Sequence, residues 1–112
     1  MLVCEAVHAL SLRATSATVN AIAQELGIDQ SGASRLIKSA TTAGYLDMAA
    51  SATDGRRREA SLTPAGHSML DQAHRWQEDV FADLTRGWSG KRRRDFHQAM
   101  TDLIERSYAM DA

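Results

Sequence analysis

Asp54-Gly55-Arg56-Arg57-Arg58-Glu59-Ala60-Ser61-Leu62-Thr63-Pro64-Ala65-Gly66 decides the fold, because a turn dipeptide and a run of arginines lead directly into a helix start. Asp54-Gly55 is a strong turn signal, and Thr63-Pro64 is an N-cap followed by proline at the first helical position. The segments either side of the turn can extend and pair. The stretch therefore reads as a basic hairpin over residues 45–63, weak in strand formers, with Arg56, Arg57 and Arg58 beside its tip.

Working outward, Leu2, Val3, Ala6, Val7 and Leu10 recur at helical spacing in a first helix that fades between Arg13 and Ser16. Thr18 is placed to cap a second helix, Val19 to Leu26, and Gly27 to supply a left-handed stop. Asp29 then caps a third helix reaching about Ala43 and ended by Gly44. Ala33, Leu36, Ile37 and Ala40 form its expected inner face, with Ile28 beneath the turn. Beyond Thr63 a long helix is expected to about Arg86, its stripe formed by Met69, Ala73, Trp76, Val80 and Leu84. Residues 87–90 interrupt it. A last helix, capped by Ser89, aligns Phe96, Met100, Leu103, Ile104 and Ser107, with Tyr108 near its end. The predicted fold class is mainly α with a small β-hairpin.

At 112 residues the chain is of single-domain size, and its net charge of −1 means that any anion binding must come from local clustering. The single cysteine, Cys4, has no internal disulfide partner. No leader pattern and no apolar run near the roughly 20 residues of a membrane span is visible, so a cytoplasmic protein without a membrane role is expected. A nucleophile with a matched base and a glycine-rich phosphate loop are also missing, so neither an enzyme nor a cofactor is expected.

A short helix, a glycine turn and a second helix over residues 18–43 match what a DNA-reading pair requires: one helix braces, the other enters the major groove. Ser31, Ser34, Arg35, Lys38 and Thr42 project from the second helix away from its apolar stripe, and each can donate a hydrogen bond. No acid interrupts that face. Gln30 suits adenine and Arg35 guanine where each bonds bidentately. In the hairpin, Arg56 is the candidate for a minor groove, Asp54 its support, and Arg57 and Arg58 phosphate contacts. A solvated helix face beside a solvated basic turn is the plainer reading; the two features in succession favour double-stranded DNA.

Residues 18–66 resemble the winged helix-turn-helix of the MarR family of bacterial transcriptional regulators. The family's wing reads Asp-x-Arg and then Leu-Thr-x-x-Gly, places filled here by Asp54-Gly55-Arg56 and Leu62-Thr63-Pro64-Ala65-Gly66; the Gly44-Tyr45-Leu46 helix exit is also similar. The resemblance implies a winged helix-turn-helix module over 1–66 and a C-terminal helical dimerisation region over 64–112. It implies Gln30, Ser31, Ser34 and Arg35 for the major groove and Arg56 for the minor groove. It also implies a homodimer on a near-palindromic operator, repression by occluding polymerase, and release by a small-molecule effector. Family members usually begin with a further helix interlocking with the partner, whereas this sequence opens on the module's first helix. A reduced dimer interface and a disturbed conventional ligand site are therefore expected. Glu59 and Ala60 stand where apolar strand residues are usual, so a poorly paired hairpin is expected too.

Trp76, Phe81, Leu84, Trp88, Phe96, Met100, Leu103 and Ile104 give the C-terminal helices more apolar surface than a lid needs, which favours a homodimer. His67, Asp71, His74 and Glu78 share a helix side and could meet a metal, but polar residues belong opposite the apolar stripe anyway. No metal site is expected. Cys4 reads as a small buried hydrophobe rather than an oxidation sensor, and His8 and His97 lack a visible constellation. Lys91-Arg92-Arg93-Arg94 reads as a solvated run that reaches acids on a partner subunit. The alternative function is a winged-helix protein-interaction module that turns the same basic face to an acidic partner.

Overall fold

Helix boundaries fall where short-range capping chemistry dictates. The computed structural model describes residues 1–51 and 55–110. Among them run α1 (Leu2–Leu12), α2 (Val19–Leu26), α3 (Gln30–Thr42), β1 (Leu46–Ala50), β2 (Arg58–Leu62), α4 (Pro64–Leu84) and α5 (Gly90–Met110). Thr18 Oγ1 accepts from the Ala21 amide at 3.1 Å, and Asp29 Oδ1 from Gly32 at 2.7 Å. Thr63 Oγ1 accepts from Gly66 at 3.0 Å, and Ser89 Oγ from Arg92 at 3.1 Å. Each cap satisfies a first-turn N–H that the helix cannot pair internally. Gly27, at φ 69°, turns the chain from α2 into α3.

The chain divides into two units, Met1–Arg75 and the residues from Trp76 onward. In the first, Val3, Cys4, Val7 and Leu10 of α1 join Ile22 of α2, Ala33 and Ile37 of α3, Leu46, Ala60 and Leu70 in one core. Leu10, Ile22 and Leu46 are fully buried, each contributing about 1.5–3 kcal/mol from removal of apolar surface. Arg13 reaches from the end of α1 to Glu25 of α2 through two contacts, 3.2 and 2.9 Å. Two expected core residues stay at the surface: Leu36 is 36% and Ile28 38% exposed. The buried side of α3 is the narrower stripe Ala33, Ile37 and Ala40.

β1 and β2 pair antiparallel from Leu46↔Leu62 to Ala50↔Arg58. The expectation of a poorly paired hairpin is corrected: all five residues of each strand pair, β2 begins at Arg58, and Ala60 is buried. Its small side chain lets the strand settle on the core, and its N–H donates to Ala17 O at 2.8 Å, anchoring the outer edge as well. The connection is not a two-residue turn. It spans 51–57, closed at its base by Ser51 N–H donating to Arg57 O at 2.7 Å. Asp54 lies outside the described residues.

The junction of α3, the hairpin and α4 is tied by one residue. Thr63 donates from Oγ1 to Gly44 O at 2.6 Å and from its N–H to Tyr45 O at 3.1 Å while capping α4. Gly66 then sits against Tyr45: a Cβ there would overlap the Tyr45 carbonyl oxygen and lie 3.1 Å from Leu62 Cδ2. The Thr-x-x-Gly spacing is thus a cap followed by a close backbone approach.

In the second unit, Phe81 stacks on Phe96 at 5.8 Å and Trp88 meets Phe96 edge-on at 6.0 Å. α5 has no buried residue; Leu103 is 64% exposed, as Trp76 of α4 is 66%. The expected inner sides are therefore largely open within this unit. Of residues 91–94, read as a solvated run, Lys91, Arg92 and Arg94 are exposed and Arg93 is half-buried. Lys91 pairs with Asp95 at 2.7 Å, Arg92 lies 4.0 Å over the Trp88 ring, and Arg93 Nη2 donates to Thr85 O at 3.0 Å. A carbonyl at the end of α4, an aromatic face and a neighbouring acid hold these cations within the unit. Among the described residues no helix is long and apolar enough to cross a membrane.

Candidate nucleic-acid interface

With Ala33, Ile37 and Ala40 turned to the core, α3 leaves Gln30, Ser31, Ser34, Arg35, Lys38 and Thr42 exposed, all donors and none acidic. Asp29, the cap, is the acid at its start. The Arg35 guanidinium bends back toward the first turn, with Nη2 4.0 Å from where a Cβ on Gly32 would stand. That direction follows from helical side chains leaning N-terminally. It brings the guanidinium toward the end of a recognition helix that meets base edges.

Beside this face lies a cleft of about 350 Å³ between α3 and the hairpin, lined by Ser34, Lys38 and Thr42 on one side and Met48 and Arg58 on the other. Val19 and Ile37 also line it. Arg58 is placed by its strand, donating from Nη2 to Met48 O at 3.2 Å. Thr41 lines the cleft as well, its hydroxyl donating to Ile37 O, and two cations with the Ser34 and Thr42 hydroxyls around this open space form an arrangement able to receive a phosphate oxygen. Arg56 and Arg57 are exposed in the connection. The assignment of Asp54 as the support of Arg56 falls outside the described residues.

Over this same region, residues 4–57, the chain matches a family model described as the MarR family. Residues 4–57 are a MarR family module. A MepR variant from S. aureus superposes with a TM-score of 0.71 at 17% identity, covering 93% of this chain and 77% of that one. A MarR family regulator from Silicibacter pomeroyi gives 0.70 at 19%, with 94% and 68% covered. BpsR of Bordetella bronchiseptica, whose DNA binding is regulated by 6-hydroxynicotinic acid, gives 0.62 at 16%, with 91% and 70% covered. At these identities the likeness is one of fold. No curated protein sequence matches the chain at a significant level.

Within this MarR fold the structure adds one residue the sequence did not flag and regroups another. Asn20 at the start of α2 accepts from Gln30 Nε2 at 3.4 Å, so Gln30 is oriented by α2 and Asn20 stands at the same edge. Its signal was its place two residues after the Thr18 cap, on the exposed side of α2. Arg58 belongs with Lys38 rather than with the tip, which only the register reveals.

The polar side of α4 is dispersed. His74 Nε2 lies 2.8 Å from Glu5 Oε1 and its ring 5.8 Å from that of His8, so His8 does have a neighbour. His67 instead lines a cavity beside β2, while Asp71 uses its carbonyl to accept from Arg75 Nε at 3.3 Å. Among the described residues no group of three or more His, Cys, Asp or Glu side chains is placed to hold a metal ion. Cys4 is fully buried in α1, and burial pushes its thiol pKa above the ordinary value.

Proposed function

We propose that this chain, through its MarR family module, is a sequence-specific regulator of transcription that binds double-stranded DNA as a homodimer. The observation that carries the proposal is the continuous acid-free donor surface running from Ser31 and Arg35 on α3 to Lys38 and Arg58 across the cleft. Gln30, Ser31, Ser34 and Arg35 face base edges of the major groove; Lys38, Thr42, Arg57 and Arg58 take phosphates; Arg56 serves the adjoining minor groove, with Asp54 as its support. Residues 64–112 form the dimerisation region, and the exposed Trp76, Phe96, Leu103 and Ile104 supply the apolar surface for it. Twofold symmetry then matches a near-palindromic operator, whose occupation represses. Selection of bound sites from random DNA, followed by fluorescence anisotropy over a salt series, tests the reading. Two half-sites about one helical turn apart and a steep salt dependence are expected. Equal affinity of the wild type and an Arg35→Ala/Arg56→Ala double variant for the selected site would overturn it.

A further inference from the structure

A second cavity, of about 270 Å³, lies on the other edge of the hairpin, between α1, the 15–17 segment, β2 and the first turns of α4. Its apolar wall is Val7, Ala17, Ala60 and Leu62, and its charged side chain is Glu59, half-buried and, among the described residues, without an ion-pair partner. Two of the four lining hydroxyls have already committed their protons: Ser11 donates to His8 O at 2.6 Å and Thr15 to Arg13 O at 3.3 Å. Toward the cavity these oxygens can only accept. The strand edge adds another acceptor. Ser51 and Arg57 form a hydrogen-bonded pair, so the alternation of an antiparallel ladder turns the Ala60 carbonyl away from β1, to the side where the Ala60 N–H meets Ala17. Ser16, Ser61 and His67 complete the lining, each able to accept as well as donate, and no lysine or arginine is among the lining residues.

An acceptor-rich rim around one carboxylate, over an apolar wall, suits a ligand that brings donors, positive charge and a flat apolar body. We propose that this cavity is a binding site for a small planar organic cation of the amidinium or aryl-ammonium class, its cationic group paired with Glu59 and its ring against Val7, Ala17 and Leu62. The volume admits a molecule of about nine non-hydrogen atoms, for which a Kd of about 1 mM or tighter is the expected range. Because Glu59 and Ala60 belong to the strand that also carries Arg58, a ligand there braces the hairpin from the edge opposite the nucleic-acid cleft.

The test is an amide-resolved NMR titration of the full chain, without DNA, so that its result stands or falls apart from the DNA-binding proposal. Benzamidine, benzamide and benzoate serve as probes of matched shape carrying positive, zero and negative charge. Saturable shifts with benzamidine, centred on Val7, Ala17 and residues 59–62, are expected, with benzoate inert. Glu59→Gln removes the charge at a surface-accessible strand position and is expected to weaken benzamidine about tenfold, the scale of a lost charge-assisted contact. Ser11→Leu, at an exposed helix position, fills the cavity and is expected to abolish binding without touching the carboxylate. Benzoate binding as well as benzamidine, unchanged benzamidine affinity in both variants, or no saturable binding of benzamidine overturns the proposal.

Discussion

Gly66→Ala is the substitution whose sign separates tertiary from local reasoning. Glycine inside a helix is about 1 kcal/mol worse than alanine, so a reading confined to α4 expects the change to stabilise. The structure expects the reverse. A Cβ at residue 66 would overlap Tyr45 O and stand 3.2 Å from Tyr45 C. Both are backbone atoms tied by the Thr63 N–H, so no rotamer change relieves the contact. Overpacking of this kind costs about 1–3 kcal/mol. If the first turn of α4 withdraws to make room, the Thr63 cap weakens by up to about 1 kcal/mol more. Set against the helix preference, the net effect is about 2 kcal/mol of destabilisation, or on the order of 10 °C in Tm for a chain of this size. Urea unfolding followed by circular dichroism, at one fixed protein concentration because dimerisation would shift the midpoint, measures it. Thr63→Ala and the double variant complete a cycle, and sub-additive losses are expected because both residues act on one junction. A Gly66→Ala protein as stable as the wild type, or more so, would refute the close-approach argument.

Other consequences can be measured in the same chain. Arg35→Ala is expected to flatten preference among selected sites by about 1–3 kcal/mol at one base position, whereas Lys38→Ala should weaken all sites alike and reduce the salt slope by about one per protomer, both read by anisotropy. Burial raises the Cys4 pKa, so its contribution to stability is complete below the unfolded thiol value of about 8.5 and fades as pH climbs through the higher folded value. Wild type should therefore lose up to about 1 kcal/mol more than Cys4→Ala between pH 7 and pH 9.5 in urea titrations; an equal loss would place the thiol in water. For Glu5 and His74, whose side chains are about one-third exposed, a double-mutant cycle should return no more than about 1 kcal/mol. Leu103→Asp with Ile104→Asp should lower the molar mass measured by light scattering to that of the monomer, and an unchanged dimer would move the interface elsewhere.

What the sequence could show was set by the range of the forces involved. Thr18, Asp29, Thr63 and Ser89 each act on an amide three residues away, and Gly27 acts on its own φ, so these boundaries are written locally. Leu36 and Ile28 were misplaced because hydrophobicity marks a residue as able to be buried, while neighbouring elements decide whether it is; α3 offers its core side only through Ala33, Ile37 and Ala40. The start of β2 was hidden for the opposite reason. Arg58 and Glu59 are poor strand formers, and what extends them is a ladder to β1 on one edge and the Ala17 carbonyl on the other.

The candidate site divides along the same line. The outer face of α3 follows from helical geometry once the core side is known, and needs no distant partner. The Lys38–Arg58 cleft depends on register, since moving β2 by one residue would send Arg58 to the opposite face of the hairpin. The two edges of β2 therefore carry different chemistry within one short segment: toward α3, cations and hydroxyl donors; toward α1, the Glu59 carboxylate and the accepting oxygens of Ser11 and Thr15. Charge counted along residues 54–66 blends these into one basic hairpin. Pairing separates them: Arg58 and Glu59, adjacent in the chain, line different clefts.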